Sequence, residues 1–124
     1  MNREILFRAK RIGRKSGHWY RSEYRNGQWV YGLITKQYTE EWRDMFYDEM
    51  TDIHGISGID IDRNTIGQFT GLLDKNSNKI FEDDIVYNGV FKARVEFING
   101  RFAPFGGDAF FADECEVIGN IYDK

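Results

Sequence analysis

The chain has 124 residues, of which 41% are hydrophobic and 30% charged, with a formal net charge of −3. With a mean hydropathy of −0.59, it reads as one soluble globular domain, or one with a long extension, large enough to need no metal or disulfide for stability. One Cys (Cys115) excludes an internal disulfide, and one Cys with two distant His (His18, His54) excludes a structural zinc site built from S and N ligands. The lone thiol, the absence of a secretory apolar core near the start, and the lack of any apolar run near the ~18 residues of a membrane span point to a reducing cytoplasm and no membrane.

Aromatic residues make up 16% of the chain, and thirteen Gly stand against a single Pro, a bias towards strands joined by tight turns. In chain order the first element is a short strand at Ile5–Phe7, followed by a basic polar loop from Gly13 to Gly17. Asn26-Gly27 then separates two aromatic-rich extended stretches, Trp19–Arg25 and Gln28–Thr35, and predicts a hairpin, because Asn-Gly accepts the positive φ angles of a type I′ turn. From Thr39 to Met50 the residues Trp42, Met45, Phe46 and Met50 share one helical face behind Glu40 and Glu41, which predicts an amphipathic helix. A break at Gly55–Gly58 precedes a strand at Ile66–Leu73, a polar turn at Asp74–Asn78 and a strand around Ile80-Phe81.

Asn88-Gly89 and Asn99-Gly100 predict two consecutive hairpins, and so a three-stranded meander from Asp84 to Phe105. Its middle strand, Phe91–Ile98, alternates Phe91, Ala93, Val95 and Phe97 with Lys92, Arg94 and Glu96, the period of a half-buried antiparallel strand. Cys115–Tyr122 is the last strand. The expected fold is mainly β: a small SH3-like barrel over residues 59–124, with an N-terminal part (1–58) of strand, basic loop, aromatic hairpin and one short helix.

Charge is unevenly spread. Residues 1–25 hold eight Lys or Arg against Glu4 and Glu23, a net of +6, whereas residues 26–124 hold nine against eighteen acidic residues, a net of −9. Arg8, Lys10, Arg11, Arg14 and Lys15 precede the aromatic hairpin that begins at Trp19. Cations beside exposed rings form a platform for single-stranded nucleic acid. The competing and stronger reading is that these rings make the hairpin's own cross-strand pairs, and that the basic arm packs on an acidic body or a neighbouring copy.

Catalytic groupings are sparse. Asp74, Asn76 and Asn78 occupy the first, third and fifth positions of an EF-hand loop, but Lys79 stands at the sixth and Ile85 at the twelfth, so the loop lacks its Gly and its bidentate Glu. A polar turn accounts for these residues better. Asp60 and Asp62 share one face of an extended segment, and Glu82-Asp83-Asp84 cluster, yet no His or Lys close in sequence completes either group. Gly55-Ile56-Ser57-Gly58 falls one residue short of a nucleophile elbow, with His54 beside it. Glu114 and Glu116 flank Cys115, which raises its pKa and disfavours a thiolate nucleophile. No cofactor-binding motif is present.

The run Ile66-Gly67-Gln68-Phe69-Thr70-Gly71-Leu72, followed by Asp74-Lys75-Asn76 and then Ile80-Phe81-Glu82-Asp83-Asp84-Ile85-Val86, resembles the YopX family, small proteins encoded by phages and prophages of bacteria. Arg3–Ala9 and Glu116–Tyr122 are similar to the family's ends. Two positions depart from it: Asn78 stands where the family usually has Gly, and Glu82-Asp83-Asp84 where it has Glu-Gly-Asp. The resemblance implies an SH3-like barrel and a bacterial host cytoplasm, and no mechanism. Its motif reads as structural: Gly67 and Gly71 for tight backbone, Thr70, Asp74 and Asp84 for turn hydrogen bonds, with Gln68 and Glu82 in the same run.

Three functional expectations follow. The first is a phage accessory protein that acts by association, as a homo-oligomer or with a host or phage protein. The second is nucleic-acid binding through Arg8, Lys10, Arg11, Arg14, Lys15 and Trp19. The third, weakest, is a metal-assisted hydrolase using Asp60, Asp62 or Glu82.

Overall fold

The structure, a computed structural model, describes residues 4–12, 27–37, 48–107 and 110–123. Eleven strands and two short 3-10 turns make up its regular elements, and no helix of two turns or more occurs among the described residues. The chain divides into two compact units: Leu6–Ile66, and Met1–Ile5 together with Gly67–Lys124.

In the first unit, β1 (Phe7–Lys10), β2 (Trp29–Lys36), β3 (Asp48–Asp52) and β4 (Ile59–Ile61) lie in the order β4-β3-β2-β1, with antiparallel neighbours. Alternation sends Ala9, Val30, Met50, Ile59 and Ile61 into one apolar core, where each is at most 1% exposed. Gly32 is required by close approach: a Cβ there would run into the carbonyl oxygen of Thr51 on β3.

The helix expected over Thr39–Met50 is corrected at its end. Asp48, Glu49 and Met50 open β3, while the residues before Asp48 lie outside the described ones. Asp48, Met50 and Asp52 are buried and alternate with half-buried neighbours, a period of two rather than 3.6. Pairing on both sides, to β2 and β4, decides the conformation over local propensity. The strand expected at Trp19–Arg25 and the turn residue Asn26 also lie outside the described residues, but Gly27 has φ +82° and β2 begins two residues later.

In the second unit, β5 (Gly67–Leu73) pairs with β6 (Lys79–Phe81). β7 (Asp84–Tyr87), β8 (Lys92–Arg94) and β11 (Glu116–Asn120) form a three-stranded sheet in the order β11-β7-β8, while β9 (Glu96–Ile98) and β10 (Arg101–Ala103) form a two-stranded ribbon. Ile80, Val86, Val95, Phe105, Phe110 and Cys115 form the core. These described strands make antiparallel sheets, not a closed barrel.

The continuous strand expected over Phe91–Ile98 is two strands with different partners. Val95 breaks it: its N–H donates to the Asp84 carbonyl at 2.8 Å and its carbonyl accepts from the Asp83 N–H at 2.8 Å, which carries its side chain into the core at 0% exposure. Phe91 and Phe97, expected to face inward with it, are exposed instead. Asn99-Gly100 makes the two-residue turn its sequence implies, with φ +53° and +80° between the paired Ile98 and Arg101. Asn88-Gly89 does not, because Asn88 opens a four-residue loop between the paired Tyr87 and Lys92.

Candidate interaction surface

The motif residues of the second unit are wired into backbone. Gly67 lies against Glu82, whose carbonyl oxygen would sit 2.9 Å from an added Cβ. Next to it, Gln68 N–H donates to Glu82 Oε1 at 3.1 Å, and Glu82 N–H donates to the Gln68 carbonyl at 2.9 Å. Thr70 is buried; its hydroxyl donates to the Ile80 carbonyl at 2.8 Å and accepts from Leu72 N–H at 3.1 Å. Gly71, at φ +85°, sits where the β5–β6 register shifts, a bulge that a side chain would strain.

Asp74 and Asp84 are buried carboxylates held by N–H donors. Asp84 Oδ2 accepts from Phe81 N–H at 2.7 Å. Asp74 Oδ1 accepts from Asn76 and Asn78 N–H at 2.9 Å each, and Oδ2 from Val117 N–H at 2.9 Å. Burial alone would raise the Asp74 pKa, but N–H donation from Val117, Asn78 and Asn76, aided by the Asn78 side chain, outweighs it and holds the carboxyl below its ordinary value. With one oxygen engaged by the turn and the other by β11, Asp74 is committed to backbone rather than to a cation.

Asp83 takes φ +70°. Its Oδ1 accepts from Arg94 Nη2 and Nε at 2.8 and 3.1 Å, and its Oδ2 from the Tyr122 hydroxyl at 3.2 Å. The Asp83 side chain therefore ties the turn to β8 and to the segment after β11.

The residues nominated for nucleic acid fare unevenly. Arg8 and Arg11 are buried, and Lys10 is half-buried. The Arg8 guanidinium lies 4.6 Å and the Lys10 ammonium 5.3 Å from the Trp29 ring centroid, so this ring is already engaged by two cations of its own unit. Arg14, Lys15 and Trp19 lie outside the described residues.

The catalytic candidates are occupied locally. Asp60 is fully buried in β4, and Asp62 Oδ1 accepts from Asn64 N–H at 3.0 Å, capping a 3-10 turn. His54 and Ser57 lie exposed in the β3–β4 loop, where Asp52 Oδ1 accepts the N–H groups of His54 and Ile56 at 3.0 and 2.8 Å. Cys115 is buried and its thiol donates to the Ala112 carbonyl at 3.3 Å. Burial is the main reason its pKa is raised, followed by the negative charges of Asp74 and Asp113, not the flanking Glu114 and Glu116 that the sequence suggests.

The second unit also carries apolar surface that the sequence reading did not find. A groove of about 480 Å³ opens between the end of β5 and the segment after β10, lined by Leu72, Leu73, Phe105, Phe110, Phe111 and Ala112, with Gly106-Gly107 and Asp113 at its margin. Leu72, Leu73 and Phe111 remain exposed along it. Separately, the β7–β8 loop presents Val90 at 73% and Phe91 at 64% exposure. That loop is rigidly built: Asn88 Oδ1 accepts from Val90 and Phe91 N–H at 2.9 and 2.8 Å, Asn88 N–H donates to the Phe91 carbonyl at 3.1 Å, and the Tyr87 hydroxyl donates to the Gly89 carbonyl at 2.8 Å.

A small, mainly β protein with a structural turn motif and exposed apolar ridges is the class the described residues define. The chain matches the family model described as "YopX protein" over residues 7–124, and it belongs to the YopX family. No curated protein matches it.

Proposed function

We propose that this protein acts by association with protein, through the apolar surface of its second unit, as a phage or prophage accessory protein in the bacterial cytoplasm. The observation that carries the reading is the groove beside Phe111: an open, mostly apolar surface with large side chains left in contact with water. No catalytic step and no cofactor belong to this reading. We read the second unit as an open relative of the SH3-like barrel that the family resemblance implies; its support is a succession of short antiparallel strands around one core.

The nucleic-acid alternative draws less support, because Arg8 and Arg11 are buried rather than aligned on a surface. The test is sedimentation velocity from low to high micromolar concentration, joined to cross-linked capture from bacterial cells. Self-association, or a captured protein lost when Phe111 becomes Asp, is the expected result. A monomer that captures nothing overturns the proposal.

A further inference from the structure

The tip of the β7–β8 loop and the groove beside Phe111 belong to the same unit, and the hydrogen-bond network of the family motif uses neither side-chain set. One is convex and apolar, the other concave and apolar. We propose that the groove receives the Val90-Phe91 tip of a second copy of this chain, with Lys92 of the incoming tip set against Asp113 at the groove margin. This inference rests on the association reading above and names its partner.

Charge complementarity argues for this occupant. Lys92 follows Phe91 directly and is exposed, while Arg94, the next cation along β8, is already paired with Asp83. The groove margin offers Asp113, with Glu114 beside it, both exposed. Lys92 beside the tip therefore has Asp113 and Glu114 to meet, whereas Arg101 lies against Gly106 on the groove's lining, so the pairing orients the tip as well as steering encounter.

Size and rigidity agree with it. A volume of 480 Å³ falls within the roughly 300–1,000 Å³ typical of sites that enclose a compact apolar group. The tip is fixed by Asn88 and Tyr87 before any partner arrives, so little conformational freedom is lost on docking. Phe91, exposed on that tip, is an aromatic side chain of the kind enriched at the centre of interfaces. Two copies that exchange tips about a two-fold axis close an isologous dimer; without that exchange the tip-to-groove contact is heterologous and propagates into a ring or filament.

The experiment is sedimentation velocity on the full chain with four single variants, Phe91→Asp, Phe111→Asp, Lys92→Glu and Asp113→Lys, each at an exposed position and each checked for an unchanged melting temperature. Wild type is expected to self-associate. Phe91→Asp and Phe111→Asp should each weaken assembly roughly tenfold or more, yet their mixture should form a one-to-one complex, since one keeps its groove and the other its tip. Lys92→Glu and Asp113→Lys should each weaken it about two- to fivefold, with recovery when both are combined. Wild-type assembly that survives Phe91→Asp or Phe111→Asp overturns the tip-in-groove contact and leaves association through another surface. A wild-type monomer at every concentration also overturns it; a foreign protein whose capture is lost in Phe111→Asp then keeps the broader reading, and no capture ends both.

Discussion

Asp74 and Val117 stand 43 residues apart in the chain, yet the Asp74 carboxylate accepts the Val117 backbone N–H at 2.9 Å. One buried side chain thus joins the β5–β6 turn to β11. The neighbouring bond from Lys75 N–H to the Cys115 carbonyl, at 2.8 Å, reinforces the same seam.

Asp74→Ala leaves the N–H groups of Asn76, Asn78 and Val117 without their acceptor and should destabilise the protein by about 2–4 kcal/mol, read by chemical denaturation. The pH dependence has a definite sign. The folded-state pKa of Asp74 is lowered, so its contribution is fully present above the unfolded value of about 3.9 and fades as pH falls through the lower folded value. Asp74→Asn, which does not titrate, should show a shallower loss of stability than wild type below that point; equal slopes would remove Asp74 as the cause.

Asp83 balances two opposing effects. Its left-handed backbone is unfavourable by about 1–2 kcal/mol for a residue with a side chain, whereas its pair with the half-exposed Arg94 and the bond from the Tyr122 hydroxyl together return about 1–2 kcal/mol. Asp83→Gly should therefore leave the melting temperature nearly unchanged. Asp83→Ala, which keeps the strain and loses the pair, should lower it. A rise in the Ala variant would show that the carboxylate harms rather than helps.

Gly32→Ala drives a Cβ into the Thr51 carbonyl and cannot be relieved by a side-chain rotation, because the obstacle is backbone. A loss of about 3 kcal/mol or more is expected, with β2–β3 amides losing hydrogen-exchange protection first. At Gly67, where the approach to Glu82 is less severe, Ala should lose about 1–3 kcal/mol.

Cys115 should resist alkylation. It is buried and its pKa is raised, so little thiolate exists and little of it is reachable near neutral pH. A thiol reagent should label it slowly in native buffer and rapidly in denaturant. Fast labelling of the folded protein would place the thiol at the surface.

Parts of this architecture were legible because short-range chemistry decides them. Asn99-Gly100 sits between residues that pair directly, and β7 opens at Asp84, where the expected meander begins. Asn88-Gly89 misled because the Asn88 side chain binds the N–H groups of Val90 and Phe91, which opens the turn to four residues. Phe91 to Ile98 misled because alternation records which side chains are apolar, not where a strand changes partners; Val95 alone of its apolar set is fully buried. Met50 could complete a helical face in sequence, yet β2 and β4 flank it and impose a strand. The groove was invisible for a different reason. Its walls come from Leu72-Leu73, from Phe105–Gly107 and from Phe110–Asp113, segments whose meeting no local spacing encodes.

The seam between Asp74 and Val117 also orders events during synthesis. The second unit's core needs Cys115, and its turn at Asp83 is bonded to Ile121 N–H and the Tyr122 hydroxyl. The β1–β2, β2–β3 and β3–β4 pairings, by contrast, are all made within Leu6–Ile66. On the ribosome the earlier unit can assemble while the later one is still emerging. Until residues 115–122 are free of the ribosome, the second unit's core lacks Cys115 and Val117 and β7 lacks its β11 partner, which makes that interval the one in which a nascent chain is most exposed to chaperones and to its neighbours.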